Sequence, residues 1–87
     1  MIFVALDLET TGLSPETDTI IEIAAIRFEI DRVGDIFMMS HSEEHSQLIH
    51  PGRVLSKEVT MITGITPAML DGKPSFESVR VKVREFI

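Results

Sequence analysis

The sequence contains no cysteine, which excludes a disulfide framework and a thiolate metal site. Basic residues are also scarce, since eight Lys and Arg stand against fourteen Asp and Glu, giving a formal net charge of −6. An acidic chain is a poor electrostatic partner for phosphate, which counts against a plain nucleic-acid-binding module. A nuclease that uses metal ions stays open, because bound divalent cations can invert the local charge.

Long hydrophobic runs are absent as well. Met1–Leu6 is apolar, but it stops at Asp7 and has no basic flank, so it predicts neither a signal peptide nor a membrane span. We therefore expect a cytoplasmic protein that makes no contact with a membrane. The 87 residues allow one small domain at most, and 44% of them are hydrophobic, which is much apolar surface for so little volume.

The first half of the chain predicts a meander of strands. Ile2–Leu8 is apolar on both faces, which predicts a central strand covered on both sides. Thr10–Asp18 is dense in turn residues, and the β-branched content of Thr19–Glu29 favours a second strand. Ile30–Gly34 is then predicted as a turn, and residues 35–49 as one bent strand or two short ones.

The second half has the start and stop signals of three helices. Ser56 and Gly64 suit the two ends of the first, Thr66–Pro67 opens a second, and Pro74–Ser75 opens a third. The apolar residues of the third helix recur at a period of 3.6 and form one stripe: Phe76, Val79, Val83, Phe86 and Ile87. This helix has no stop signal, so we expect residues 1–87 to be the truncated N-terminal portion of a single domain, or the stripe to be an assembly surface.

Two acidic residues carry the strongest chemical signal. Asp7 and Glu9 are two positions apart at the end of the first predicted strand, so their side chains should share one face with Cα atoms about 6.5–7 Å apart. Two such charges about 5 Å apart repel by roughly 3 kcal/mol at an effective dielectric of about 20. Either one carboxyl takes a proton, or Mg²⁺ or Mn²⁺ bridges the pair. Two solvated acids at a strand end are the simpler alternative.

The stretch FVALDLETTGLSPETDTIIEIAAIRFE resembles the first motif of the DnaQ-like (DEDD) 3′→5′ exonucleases, a family that includes polymerase III proofreading subunits. QLIHPGRVLSKEVTMITGITPAML is similar to the segment that follows in polymerase-associated members. The resemblance implies an α/β, ribonuclease H-like fold, of which this chain has the three-stranded antiparallel start of a mixed sheet plus helices. It also implies two divalent cations, Mg²⁺ or Mn²⁺, a single-stranded nucleic-acid 3′ end as substrate, and a DNA polymerase subunit as a partner.

The resemblance implies roles for individual residues. Asp7 and Glu9 match catalytic metal ligands, while Thr10, Thr11, Gly12 and Leu13 match the loop that contacts the 3′-terminal nucleotide. Leu13 would pack against the terminal base, although an ordinary hydrophobic anchor of the loop explains it equally well. Ile62–Ile65 match a segment near the nucleotide pocket.

The chain also departs from the family pattern. The two further aspartates and the His or Tyr general base expected of the family are not found in this sequence, so they would have to come from a missing C-terminal half or a second chain. One alternative is therefore a catalytically incomplete fragment that serves as an assembly or binding piece. Another is a phosphatase of the haloacid dehalogenase type, which requires a helix at Thr19–Glu29.

Three lesser expectations complete the sequence interpretation. Glu22 lies in an apolar run, and a structural ion pair, for which Arg53 is the candidate partner, is favoured over a metal role. A zinc site at His41, His45 and His50 is disfavoured, because their spacing does not make them converge. The methionines are expected as core filler: Met38, Met39, Met61 and Met69.

Overall fold

The computed structural model describes residues 1–86, which form three strands followed by three helices. The elements are β1 (Ile2–Thr10), β2 (Ile20–Val33), β3 (Ile36–Leu48), α1 (Lys57–Thr63), α2 (Pro67–Leu70) and α3 (Phe76–Phe86). The strands form one antiparallel sheet in the order β1-β2-β3, which confirms the predicted meander. None of the helices in these residues is long and apolar enough to cross a membrane.

The two faces of the sheet differ sharply in burial. Ile21, Ile23 and Ala25 alternate along β2 with exposures of 0%, 2% and 1%, so one face of this strand is covered. Val79 of α3 packs on Ile23 and Ile49, and a second cluster joins Ile21 to residues of and around α1 and α2: Leu55, Val59, Ile65 and Leu70. All three helices therefore contribute to a core on the same side of the sheet.

The helix boundaries follow the capping signals in the sequence. The hydroxyl of Ser56 accepts a hydrogen bond from the Val59 N–H at 3.2 Å, as expected of an N-cap. Gly64 ends α1 at φ 77°, and its N–H donates to the Thr60 carbonyl at 2.8 Å. Thr66 caps α2 in the same manner as Ser56, with Pro67 at its first position.

The middle of the predicted apolar stripe of α3 packs on the sheet, whereas Phe76 at its start is 40% exposed. Val79 is buried and Val83 packs beside it. The Phe86 ring lies 5.3 Å from the Arg27 guanidinium and 5.7 Å from the His45 ring. Ile87, the last residue of the predicted stripe, lies outside the described residues.

Several local predictions are wrong, and the causes are non-local. β1 is an edge strand of the described sheet, and Leu6 and Leu8 are 51% and 46% exposed, so it is not covered on both sides. β2 continues through Val33 where a turn was predicted, because Ile30–Val33 keep pairing with β3 and the chain reverses only at Gly34. All four methionines expected in the core are exposed: Met38 and Met39 stand on β3 near the hairpin turn, Met61 on α1 and Met69 on α2.

Candidate active site

Asp7 and Glu9 share the open face of the sheet. Asp7 lies opposite Ala24 and Glu9 opposite Glu22, whereas the buried Ile23 and Ala25 lie opposite Leu8 and Leu6. Because directly opposed residues point to the same side, the two acids face away from the helices. The register shifts between Glu9 and Thr10, so regular pairing ends where the acidic pair meets the following loop.

Glu22 belongs to this acidic face too, which the sequence did not predict. The expected ion pair between Glu22 and Arg53 is not formed in residues 1–86, because the Arg53 guanidinium instead donates to the Thr17 carbonyl. Like charges directly opposite each other destabilise a sheet, so the Glu9 and Glu22 pair adds to the repulsion around Asp7. No group of three or more potential metal-ligating side chains converges in this part of the chain.

The loop after β1 is organised around the Asp18 carboxylate. Oδ1 accepts a hydrogen bond from the Thr11 hydroxyl at 2.9 Å, and Oδ2 accepts one from the Ser14 N–H at 2.9 Å. The Thr11 hydroxyl accepts in turn from the Thr19 N–H at 2.9 Å. The Ser14 N–H, the Thr11 hydroxyl and the positive charge of Arg53 together hold the pKa of Asp18 below its usual value of 3.8.

Gly12 is required by this carboxylate and not by its backbone angles. Its φ is not positive, unlike the φ of four other glycines. A Cβ at this position would lie 2.8 Å from Asp18 Cγ and 2.9 Å from Oδ1, far inside normal contact. The loop therefore wraps so tightly around Asp18 that any side chain at position 12 would force the carboxylate to shift.

The hydroxyl protons of both loop threonines are used inside the loop. Thr10 donates its proton to the Gly12 carbonyl at 2.6 Å, and Thr11 donates its proton to Asp18. A hydroxyl has a single proton to donate. A ligand would therefore meet these side chains only as acceptors, while the backbone N–H groups of Gly12 and Leu13 have no acceptor within residues 1–86.

A cavity of about 350 Å³ joins the acidic strand end to helix α1. Glu9 lies on its wall, and Leu13 and Ile62 contribute apolar side chains that are 101% and 84% exposed. The cavity lining comprises Leu8–Leu13, Val59, Ile62 and Thr63. The structure thus brings the predicted loop and the predicted α1 segment together at Glu9.

Sequence reasoning placed the acidic pair and the loop but missed Asp18, Thr19 and Val59. Asp18 stands in a segment of turn residues without periodicity, and its partners are four and seven positions away. The one available signal in the sequence was Gly12, because glycine is a residue used where the backbone must approach another group closely.

An antiparallel meander with helices on one face and two carboxylates at the end of its first strand defines the start of a ribonuclease H-like exonuclease fold. The exonuclease family represented by RNase T matches residues 4–87, and the chain belongs to this family. The strand at Ile20–Val33 contradicts the phosphatase alternative, which required a helix there.

Relatives and a solved structure agree with this assignment. The chain is 44% identical over 77 residues to the DNA polymerase III PolC-type of Thermotoga petrophila, covering 88% of this chain and 5% of that protein. It is 39% identical over 85 residues to the DNA polymerase III subunit epsilon of Aquifex aeolicus, covering 98% of this chain and 38% of that one. It is 42% identical over 85 residues to the DNA polymerase III subunit epsilon of Treponema pallidum, covering 98% of this chain and 36% of that one.

The structural comparison gives the same fold. Exonuclease X in complex with 5′ overhanging duplex DNA aligns with a TM-score of 0.63 and 30% identity, covering 92% of this chain and 42% of that chain. The resemblance to polymerase-associated exonucleases and the predicted fold class are confirmed. The chain spans less than half of each of these proteins.

Proposed function

We propose that residues 1–87 carry the first acidic motif and part of the nucleotide pocket of a metal-dependent 3′→5′ exonuclease. One observation carries this proposal, namely that Asp7 and Glu9 share the open face of the sheet next to the cavity formed by the loop and α1. Membership of the exonuclease family supports the reaction class. The resemblance to proofreading enzymes supports attack from the 3′ end of a single strand.

The acidic face fits divalent cations in its chemistry. Asp7 and Glu9 offer only carboxylate oxygens, which are the ligands that Mg²⁺ and Mn²⁺ prefer. Asp7 would hold both of two ions and Glu9 one of them. When bound, such ions activate a water molecule and stabilise the leaving oxygen of a phosphodiester.

The loop and α1 suit a terminal nucleotide. Leu13 and Ile62 present exposed apolar surface to a base, and the free N–H groups of Gly12 and Leu13 are donors for sugar or phosphate oxygens. A cavity of about 350 Å³ has the size of a small-ligand site. These residues would therefore place the 3′-terminal nucleotide beside Glu9.

The ligand count argues that this part of the domain does not complete the site. Two carboxylates supply a charge of −2 against +4 for two divalent ions, and no third ligand joins them within residues 1–86. We propose that further acids and the general base come from residues beyond these, on the same polypeptide or a second one. The same observation favours the second candidate, a catalytically incomplete piece that acts in assembly.

A polymerase is the proposed protein partner. The support lies in the relatives, which are named as DNA polymerase III subunits or as PolC-type polymerase III. Copurification of the tagged chain with the replicative polymerase of its own cell, identified by mass spectrometry, tests this. Recovery of the chain free of any polymerase subunit would contradict it.

Metal binding tests the acidic pair directly. Calorimetry should detect millimolar binding of Mn²⁺ to the chain, and Asp7→Ala should weaken it about tenfold or more, because a direct ligand matters at least as much as the groups that orient one. Asp71→Ala is the matched control, since this exposed acid caps α2 through its backbone. Equal Mn²⁺ affinity in wild type and Asp7→Ala would refute the metal site.

Nuclease assays separate the two candidates. With a single strand labelled at its 5′ end, the purified 87-residue chain should release almost no product in Mg²⁺ or Mn²⁺. A longer polypeptide that adds the missing acids should shorten the strand stepwise from its 3′ end, and Asp7→Ala should abolish this. Rapid 3′-end degradation by the 87-residue chain would contradict the ligand-count argument.

A further inference from the structure

We propose that Asp18 is a positioning residue for the nucleotide site, and that its carboxylate holds Thr11, Gly12 and Ser14 so as to set the place of Leu13 beside Glu9. This inference rests on the function proposed above and goes beyond it. Asp18 itself does not line the cavity that contains Glu9. It acts on that cavity only through the loop residues that it holds.

The contacts of Asp18 reach the loop from three sides. Its two carboxylate oxygens accept separate hydrogen bonds from Thr11 and Ser14, each 2.9 Å long. The backbone of Gly12 passes so close to the carboxylate that a Cβ would overlap it. The backbone N–H of Asp18 donates to the Ser14 carbonyl at 2.9 Å, so Asp18 closes the loop through both its side chain and its backbone.

Thr11 carries this constraint to the strand end. Its hydroxyl links Asp18 to the Thr19 N–H, and its backbone N–H donates to the Thr19 carbonyl at 2.9 Å. Thr11 is therefore fixed at both backbone and side chain, two residues beyond Glu9. Leu13 makes no hydrogen bond within residues 1–86 and is fully exposed, so its position depends on the anchored residues on either side of it.

The test compares nucleotide and metal affinity in the same chain. Asp18→Asn keeps the shape of the side chain, but it removes the negative charge that strengthens both hydrogen bonds, and its amide NH₂ cannot accept from Thr11 or Ser14. Deoxythymidine 5′-monophosphate in saturating Mg²⁺ is the probe, followed by NMR shifts of the Gly12 and Leu13 amides. We expect its affinity to fall about fivefold while Mg²⁺ affinity changes less than twofold.

Thr11 variants show whether the effect passes through the hydroxyl. Thr11→Val should weaken nucleotide binding about as much as Asp18→Asn, and Thr11→Ser, which keeps the hydroxyl, should weaken it clearly less than Thr11→Val does. The double variant Asp18→Asn/Thr11→Val should lose no more than the larger single loss, because both changes break one network. If the affinity of the double variant instead falls by the product of the two single losses, the two side chains act independently, and the positioning role is overturned. Should Asp18→Asn fail to fold, the comparison of Thr11→Val with Thr11→Ser decides alone.

Glu16→Gln is the charge-matched control, since it removes one negative charge from the exposed part of the same loop. It should leave nucleotide affinity unchanged, and a loss equal to that of Asp18→Asn would reduce the effect to net charge and overturn the proposal. Unaltered nucleotide affinity in folded Asp18→Asn, or no binding by the wild type, would overturn it as well. The proposed metal site has its own test, because it depends on whether Asp7→Ala weakens the binding of Mn²⁺.

Discussion

Substituting Gly12 by alanine tests the packing of the loop around Asp18. The new Cβ would lie 2.8 Å from Asp18 Cγ, whereas carbon atoms in contact are about 3.5–4.0 Å apart, so the carboxylate must retreat by about 0.7 Å or more. A shift of that size stretches hydrogen bonds of 2.9 Å beyond their normal range. Overpacking of this kind costs about 1–3 kcal/mol.

The expected result is a lower midpoint of thermal unfolding. For a chain of this size, each 1 kcal/mol corresponds to about 4–8 °C, so Gly12→Ala should lower Tm by at least about 4 °C. Circular dichroism measures this, and urea unfolding gives the free energy independently. Backbone strain contributes little, because the φ of Gly12 is not in the left-handed region.

A double-variant cycle separates the steric cause from a general glycine effect. In an Asp18→Ala background the obstructing carboxylate is gone, so the same Gly12→Ala change should cost much less. Gly72→Ala is the control, since Gly72 has φ 73° and an added Cβ there would meet no atom within 4 Å, so its cost should be equal in both backgrounds. Equal cost of Gly12→Ala with and without Asp18 would refute the reasoning.

Two further predictions concern the acid range and the core. Because hydrogen bonds from Ser14 and Thr11 lower the pKa of folded Asp18, its stabilising contribution is complete above the unfolded value near 3.8 and is lost as pH falls through the lower folded pKa. NMR titration of the Asp18 carboxyl carbon should give a midpoint below 3.8, and a midpoint at or above 3.8 would contradict this. In Asp18→Asn, the free energy of unfolding should fall less steeply as the pH is lowered through this range. Val79→Ala should lower the free energy of unfolding in urea by about 1.5–3 kcal/mol, because Val79 is 4% exposed. Val81 is 55% exposed, so Val81→Ala should lower it by less than about 0.5 kcal/mol. Equal losses in the two variants would contradict the packing of α3.

Local chemistry explains which parts of the fold the sequence predicted. Ser56 and Gly64 mark α1 because capping involves atoms only three or four residues apart. Asp7 and Glu9 were placed on one face by strand alternation alone, which needs no knowledge of the neighbouring strands. The burial of β1 could not be predicted in this way, because it depends on what lies beside the strand and not on its own residues.

The same difference between local and non-local contacts applies to the candidate site. The acidic pair was visible as a motif, whereas the anchor of the loop was not, because Asp18 meets Thr11 across seven positions with no repeating spacing. The resemblance implied only that the loop with Gly12 contacts a nucleotide, and the structure shows that Gly12 also lies against an internal carboxylate, that of Asp18. A glycine in the sequence can thus indicate that space is restricted at its position, but it does not identify the group that restricts it.

The different residues on the two faces of the sheet bear on the role proposed for an acidic chain in the hydrolysis of nucleic acid. The helix face holds the buried apolar residues of β2, so Asp7, Glu9 and Glu22 take no part in the apolar packing of the sheet. The open face collects these three acids near one strand end, where they repel each other and any phosphate. A divalent cation would relieve both repulsions at once, so under the proposed function metal binding should precede or accompany binding of the nucleotide at this face.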